Sequence, residues 1–329
     1  MITSRAPLRI PLGGGGTDLA SYYRQHGGFI LSVGIDKYVF IHLNRLKVER
    51  FIRVKYSKTE RVDDARDITH PLLREALLHT GVGGGIEISA MSDIPGRTGM
   101  GSSGSFTVAL LAALHAHKRK QVPIQVLAEE AHYVETGRAS QPAGKHDHYL
   151  GAFGGLTALE INPSGKVAVT PLLISEHVAE ELPNSLVVFF TGIQRESADI
   201  LTQQDQDTQA GEDAVIDGLH EIRQIGYDIR DALVEGDLDR FGHLMHRHWQ
   251  TKKKRSEKMT NTRIDRWYEQ GIEAGALGGK ILGAGGGGFL MFYCPAQHRR
   301  QLREQMSKEG LIEMHFRFDM EGVKVLMSA

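Results

Sequence analysis

Clustered glycine is the feature that most constrains this chain. Its 38 glycines bunch at Gly13 to Gly16, Gly83 to Gly85, Gly96 to Gly104, Gly154-Gly155 and Gly275 to Gly288, and such clusters mark places where backbone turns tightly or comes close to something else. The most informative is Pro95-Gly96-Arg97-Thr98-Gly99-Met100-Gly101-Ser102-Ser103-Gly104-Ser105, which runs through Phe106 and Thr107 into the apolar stretch Val108 to Leu114. Gly99, Gly101 and Gly104 allow close backbone approach, and Ser102, Ser103 and Ser105 place hydroxyls where a helix begins. A helix N-terminus offers free N–H groups and a positive dipole end, so this loop suits phosphate. A serine-capped helix after an ordinary loop fits the same letters, and other stretches must decide between the two.

At 329 residues, 41% hydrophobic and 24% charged, the chain is long enough for two globular domains. With 39 basic and 40 acidic residues, its formal net charge is -1. That leaves no bulk attraction to nucleic acid or an anionic membrane, so neither is an expected partner. The sole cysteine, Cys294, lies in the apolar run Phe289 to Cys294 and reads as buried core in a reducing compartment. No apolar run approaches bilayer length and the N-terminus lacks a signal-peptide core, so the expected location is cytoplasmic.

Apolar patterning predicts sheet in the first hundred residues, at 6–12, 29–35, 38–43, 52–56 and 85–89, then helices at 106–118 and 124–135 and strands at 156–161 and 167–173. A polar stretch at 175–184 suggests a boundary, giving domains 1–180 and 181–329. Beyond it the pattern predicts a strand at 186–190, helices near 212–235, 238–254, 262–274 and 295–310, and strands around 280–282, 289–294 and 323–326. The class is α+β.

Known nucleotide motifs do not fit. Gly96 to Ser103 has Walker A spacing but Ser102 where the lysine belongs, and Gly283 to Gly288 matches a dinucleotide fingerprint yet runs into a strand rather than a helix. A tight turn between strands, with N–H groups facing a ligand, suits the second better. Glu135, near a helix end, and Asp147, read as a loop residue, could divide metal binding from hydroxyl positioning in phosphoryl transfer, although taken alone each is more often a solvated surface charge. Asp18 is a helix cap or a ligand contact. His146 and His148 flank Asp147, but an i, i+2 pair with no distant partners is a weak zinc signal.

Taken together, Ala6-Pro-Leu-Arg9-Ile, Pro95 to Ser103 and Lys280 to Gly288 resemble, in order and spacing, the three motifs of the GHMP kinases, the galactokinase, homoserine, mevalonate and phosphomevalonate kinase superfamily. Within it, Ala6 to Asp18, Gly144 to Tyr149, Phe190 to Ser197 and His248 to Arg255 are similar to the bacterial D-glycero-D-manno-heptose 7-phosphate kinases. The resemblance implies a two-domain fold, an N-terminal domain like ribosomal protein S5 domain 2 and a ferredoxin-like C-terminal domain. It implies ATP on Pro95 to Ser105, Mg²⁺ held by Ser102 or Ser103 with Glu135, and Asp147 and Arg9 as catalytic residues. Gly15, Gly16, Thr17, Asp18, Asp147, Arg195, Lys253, Gly285 and Gly286 are the substrate contacts it implies.

The expected reaction is phosphorylation of a sugar's anomeric hydroxyl, most closely that of a heptose 7-phosphate destined for surface polysaccharide. A kinase of galactose, fucose or mannose and a non-catalytic sugar-binding regulator are the alternatives, and a homodimer is compatible with the sequence. Gly104, Met100, Gly137 and Arg138 depart from the family pattern.

Overall fold

The structure, a computed structural model, describes residues 1–194, 197–211, 213–255 and 259–328. Its first half is organised by two long strands. In β1 (Ile2–Gly13) every residue but Arg5 is buried, which marks it as a strand packed on both faces. It pairs antiparallel with β2 (Gly28–Arg45) from Ile2 opposite Leu43 to Gly13 opposite Leu31. The runs 29–35 and 38–43, expected as separate strands, are thus one. The length of β2 lets its other edge take two strands end to end, β6 (Leu156–Ile161) along 28–33 and β5 (Ile86–Ser92) along 39–45. The parallel pair β3 (Ile52–Lys55) with β5, then β4 (Thr59–Val62) and β7 (Val167–Pro171), extend this eight-stranded sheet.

Helices α1 (Ala20–His26), α2 (Pro71–Thr80), α3 (Ser102–His117), α4 (Ile124–Tyr133) and α5 (His146–Phe153) belong to this half. Pattern reading missed α2 and α5, and Asp147, expected in a loop, sits in the first turn of α5. The sequence of α5 propagates helix weakly, and packing stabilises it instead. A Cβ on Gly104 would lie 2.7 Å from Asp147 Cβ, and one on Gly151 would lie 3.2 Å from Ser105 Cα. Glycine at both places lets α3 and α5 pack closely.

The stretch 175–184, expected as a polar connection, forms α6 (Glu176–Ser185), with Ser175 as its N-cap. A four-stranded antiparallel sheet then runs in the order β11 (Ile312–Glu313), β8 (Leu186–Phe190), β10 (Phe289–Tyr293), β9 (Gly278–Ile281). With it go α7 (Ser197–Gln209), α8 (Asp213–Glu235), α9 (Leu238–Lys253), α10 (Thr262–Glu273) and α11 (Arg299–Lys308). Finally β12 (Lys324–Ser328) crosses back to pair with β1, so residues 324–328 join the sheet of the first half.

One hydrophobic cluster spans both sheets, joining Leu8, Ile10, Phe29 and Val33 to Val188, Phe241, Phe289 and Met291. Full burial of each such side chain is worth about 1.5–3 kcal/mol, so the halves are held by shared core. Among the described residues no helix is long and apolar enough to cross a membrane.

Candidate active site

The glycine loop and the Gly283 to Gly288 turn meet backbone to backbone. Gly99 adopts φ 81° and a Cβ there would come 2.4 Å from Leu282 O, while Gly288 at φ 83° would place one 2.1 Å from Thr98 O. Only glycine tolerates both the conformation and the contact. Two amides of the turn are engaged by protein, Gly286 N with Met259 O at 2.7 Å and Gly288 N with Ile193 O at 2.7 Å. Gly285 also packs on Met259.

Helix α3 opens from Gly101, at φ 76°, with no side-chain cap. Serine capping, the simpler reading of the sequence, is therefore not what the hydroxyls do. Ser105 Oγ donates to Pro7 O at 2.6 Å, whereas Ser102 Oγ is buried with no partner among the described residues. The first turn thus keeps the character of an anion site. Pro95, Gly96 and Arg97 lie exposed at the loop's outer edge and Thr98 is buried beneath it, its hydroxyl donating to Pro95 O at 2.9 Å. Met100 fills the core shared by the two sheets.

Beside this loop, Arg9 is buried to 3% exposure. Its Nη1 donates to Gly99 O at 2.6 Å, and Nε and Nη2 both reach Asp147 Oδ1, at 2.8 and 2.6 Å. On the other side of Asp147, His146 Nε2 lies 3.0 Å from the same oxygen, an ion-pair contact without hydrogen-bond alignment. The far side of the imidazole meets Asp18, whose Oδ2 is 3.1 Å from both His146 N and Nδ1. Asp18 does not cap α1, since Leu19 holds that position without a side-chain bond.

Burial opposes ionisation throughout this row, and the neighbours overcome it. Burial would raise the Asp147 carboxyl, but Arg9 and His146 hold it well below the usual carboxylate range. Burial likewise works against Asp18, and His146 holds that carboxyl low. For His146 burial works against the charge, yet Asp147 and Asp18 raise its pKa despite Arg9. The row reads Asp18 anionic, His146 cationic, Asp147 anionic, Arg9 cationic.

Glu135 lies in the π-helical turn Val134–Arg138 that follows α4, buried to 3%, with Oε2 bound to His148 Nε2 at 2.7 Å. His148 therefore serves Glu135, and no described group of three or more His, Cys, Asp and Glu could hold a metal. A hard cation shared by a hydroxyl, a carboxylate and ATP oxygens fits the donor chemistry of Ser102, Ser103 and Glu135, and the unpartnered Ser102 hydroxyl agrees with it. Two departures from the family pattern gain partners here: Arg138 Nη2 pairs with Glu75 Oε2 at 3.1 Å, and Gly137 packs on the Tyr133 ring.

In the loop before α1, Thr17 Oγ1 lies 2.8 Å from Gly14 O and 2.9 Å from Phe29 O, fixing its shape. A Cβ at Gly15 would meet nothing within 4 Å, so the loop is open at that one residue, while Gly14 and Gly16 on either side are closely packed. Arg195 lies outside the described residues. Lys253 pairs with Asp265 at 3.2 Å and lies 6.0 Å from the Trp249 and Tyr268 ring centres. The sequence reading passed over His146 as a positioning group, although its place beside Asp147 was visible. It also missed Lys280, which is 2% exposed and donates to Leu12 O at 2.8 Å, tying β9 to β1; nothing in the sequence marks that contact.

Comparison with known proteins agrees with this geometry. Residues 68–155 match the GHMP kinases N terminal domain family and residues 229–311 the GHMP kinases C terminal family, and the chain belongs to the GHMP kinases. It is 27% identical to the D-glycero-alpha-D-manno-heptose 7-phosphate kinase of Campylobacter jejuni over 98% of each chain. It is 26% identical to the galactokinase of Thermococcus kodakarensis over 86% of each. The crystal structure of a D-glycero-D-manno-heptose 1-phosphate kinase from Bacteroides thetaiotaomicron shares the fold with TM-score 0.82 and 22% identity, covering 99% of both chains.

Proposed function

We propose that this kinase transfers the γ-phosphoryl group of ATP to the anomeric hydroxyl of a sugar, with D-glycero-D-manno-heptose 7-phosphate as the acceptor. The observation that carries the reading is the Arg9–Asp147 pair beside an uncapped α3 N-terminus and an open Gly15 loop. Residues 95–105 hold the ATP phosphates, and Asp18 with Gly15, Gly16 and Thr17 lines the sugar side. Gly285 and Gly286 close that side from the second domain; a division at residue 180 would fall inside α6, and residues 324–328 return to the first sheet. Ser102 or Ser103 and Glu135 hold Mg²⁺, which shields phosphate charge when bound.

All the contacts to Asp147 described above fall on Oδ1, so Oδ2 is the oxygen available to accept a hydrogen bond from the acceptor hydroxyl. A carboxylate held this low is a weak base. Its first task is to orient the hydroxyl for in-line attack, and it takes the proton late, as the oxygen acquires phosphorus and becomes acidic. Arg9 and His146 keep that carboxylate charged and fixed throughout.

The 27% identity to a heptose 7-phosphate kinase over nearly the full chain supports this acceptor, and the galactokinase similarity supports an unphosphorylated sugar as the second reading. Rates of ADP formation with ATP, Mg²⁺ and the 7-phosphate, its unphosphorylated parent, mannose, galactose or fucose decide between them. The 7-phosphate should give the highest kcat/KM. Equal or better use of an unphosphorylated sugar refutes the acceptor, and sugar binding without turnover refutes the kinase.

A further inference from the structure

Buried cations normally have partners, and near the sugar side most of them do. Arg9 is paired with Asp147, Lys252 Nζ donates to Gly283 O at 2.6 Å, and Lys280 Nζ donates to Leu12 O at 2.8 Å. Arg255, just beyond α9, differs. Its Nε and Nη2 are shielded from solvent with no hydrogen-bond partner among the described residues. Tyr22 and Asp207 act on it only from a distance; the Tyr22 hydroxyl is hydrogen-bonded with His220 Nδ1 at 2.7 Å, and the Asp207 carboxylate accepts from Gln203 Nε2 at 2.8 Å. Burial lowers the pKa of Arg255 only to about 10, so the group stays charged at neutral pH.

The surroundings are shaped around this guanidinium. Its stem lies against Gly218 of α8, where a Cβ would sit 3.2 Å from Arg255 Cγ. Its head meets the loop before α1: at Gly16, φ +96°, a Cβ would lie 2.7 Å from Gln204 Nε2 and 3.2 Å from Arg255 Nη1. Gln204 is 7% exposed, and its amide reaches Gly16 O only at 3.4 Å, a long bond. Next to Gly16, Gly15 faces open space, and two residues beyond Gly16, Asp18 touches the His146 that abuts Asp147. An uncompensated buried guanidinium is costly to keep. A ligand anion that accepts its planar donors removes that cost, and phosphate matches them bidentately.

We propose that Arg255, assisted by Gln204 and the Gly15-Gly16 backbone, forms the subsite for the phosphate that the acceptor carries at the end remote from its reacting hydroxyl. This deepens the acceptor reading above and rests on it. In this role Arg255 binds the acceptor's phosphate and not the reacting atoms, so it sets specificity rather than rate: the acceptor phosphate docks on it while Asp18 and Asp147 face the sugar ring.

Arg255→Gln and Arg255→Lys, each checked for an unchanged melting temperature, test the subsite with heptose 7-phosphate and its unphosphorylated parent as alternative acceptors. In Arg255→Gln, kcat/KM for the 7-phosphate should fall at least about 30-fold, mainly through KM. Use of the parent sugar and KM for ATP should stay within about twofold. Arg255→Lys should recover part of the loss, because it keeps the charge and loses the planar fork. Equal losses on both acceptors, or no loss on either, overturn the subsite. Inorganic phosphate provides a measurement independent of turnover: it should inhibit the parental protein competitively against the acceptor and lose that effect in Arg255→Gln. Unchanged inhibition overturns the subsite. A parental protein with no preference for the 7-phosphate overturns the acceptor reading instead, and the phosphate measurement then judges the subsite alone.

Discussion

Arg9 grips a single oxygen of Asp147 through two nitrogens, Nε at 2.8 Å and Nη2 at 2.6 Å, while its remaining nitrogen anchors on the glycine loop at Gly99 O. One side chain therefore links the carboxylate proposed to face the acceptor to the loop proposed to carry ATP. Charge-assisted bonds of this length are strong and directional. The spacing between Asp147 and the glycine loop is thus fixed by the protein itself.

Replacing Asp147 with Asn keeps shape while removing charge and basicity. Turnover should fall by roughly 10²- to 10⁴-fold with KM for ATP little changed. A loss nearer the lower end indicates that orienting the hydroxyl outweighs removing its proton, and full activity removes Asp147 from the mechanism.

Replacing Arg9 with Gln should show in the pH profile as well as the rate. The folded-state pKa of Asp147 is depressed, so its contribution to stability is present above the unfolded value and lost as pH falls through the folded one. Without Arg9 that carboxyl rises toward its ordinary range, and acid loss of both activity and stability should begin at a higher pH than in the parent. An unmoved acid limb measured by kcat and by thermal melting speaks against the coupling.

His146 sets the opposite limb. Its folded pKa is raised by Asp147 and Asp18 against burial, so its stabilisation is complete below the unfolded value near 6.5 and fades as pH rises through the folded one. His146→Gln should lower activity at neutral pH and flatten the alkaline decline, which titration of the parent measures. The other charged groups facing the imidazole are Asp18, Asp147 and Arg9; both carboxyls are held low and stay ionised in that window.

Gly101 sits at φ 76° with a would-be Cβ 3.1 Å from Arg9 Cγ. Gly101→Val should cost about 1–3 kcal/mol of stability through backbone strain and weaken ATP binding as the loop shifts. Calorimetric titration of a folded variant checks this, and unchanged nucleotide affinity refutes the loop assignment.

Much of this site was legible in the sequence because its chemistry is written in local strings. The glycines at 99, 101 and 104, Arg9 in its Pro-Leu-Arg context and Asp147 after Gly144 could all be read without coordinates. What could not be read depends on tertiary contact. Helix α5 has weak propensity and exists because Gly104 and Gly151 let it pack against α3. The imidazole of His146 looks like a metal ligand until Asp18, 128 positions away, is found on its other face. The strand β12 pairs with β1 from the far end of the chain, a register that no periodicity reveals. Lys253 and Arg255 look alike in a basic run, and only packing separates an ion-paired lysine from a guanidinium whose Nε and Nη2 have no hydrogen-bond partner among the described residues.

The central claim is that this chain phosphorylates the anomeric hydroxyl of a heptose phosphate. The most direct test is ³¹P NMR of a reaction containing the protein, ATP, Mg²⁺ and D-glycero-D-manno-heptose 7-phosphate, followed to completion. A new sugar phosphate resonance coupled to the anomeric proton is expected beside the original 7-phosphate signal, with ADP formed in equal amount. Phosphorylation at another carbon, or no new phosphate ester with either this sugar or its unphosphorylated parent while ATP remains bound, would contradict it.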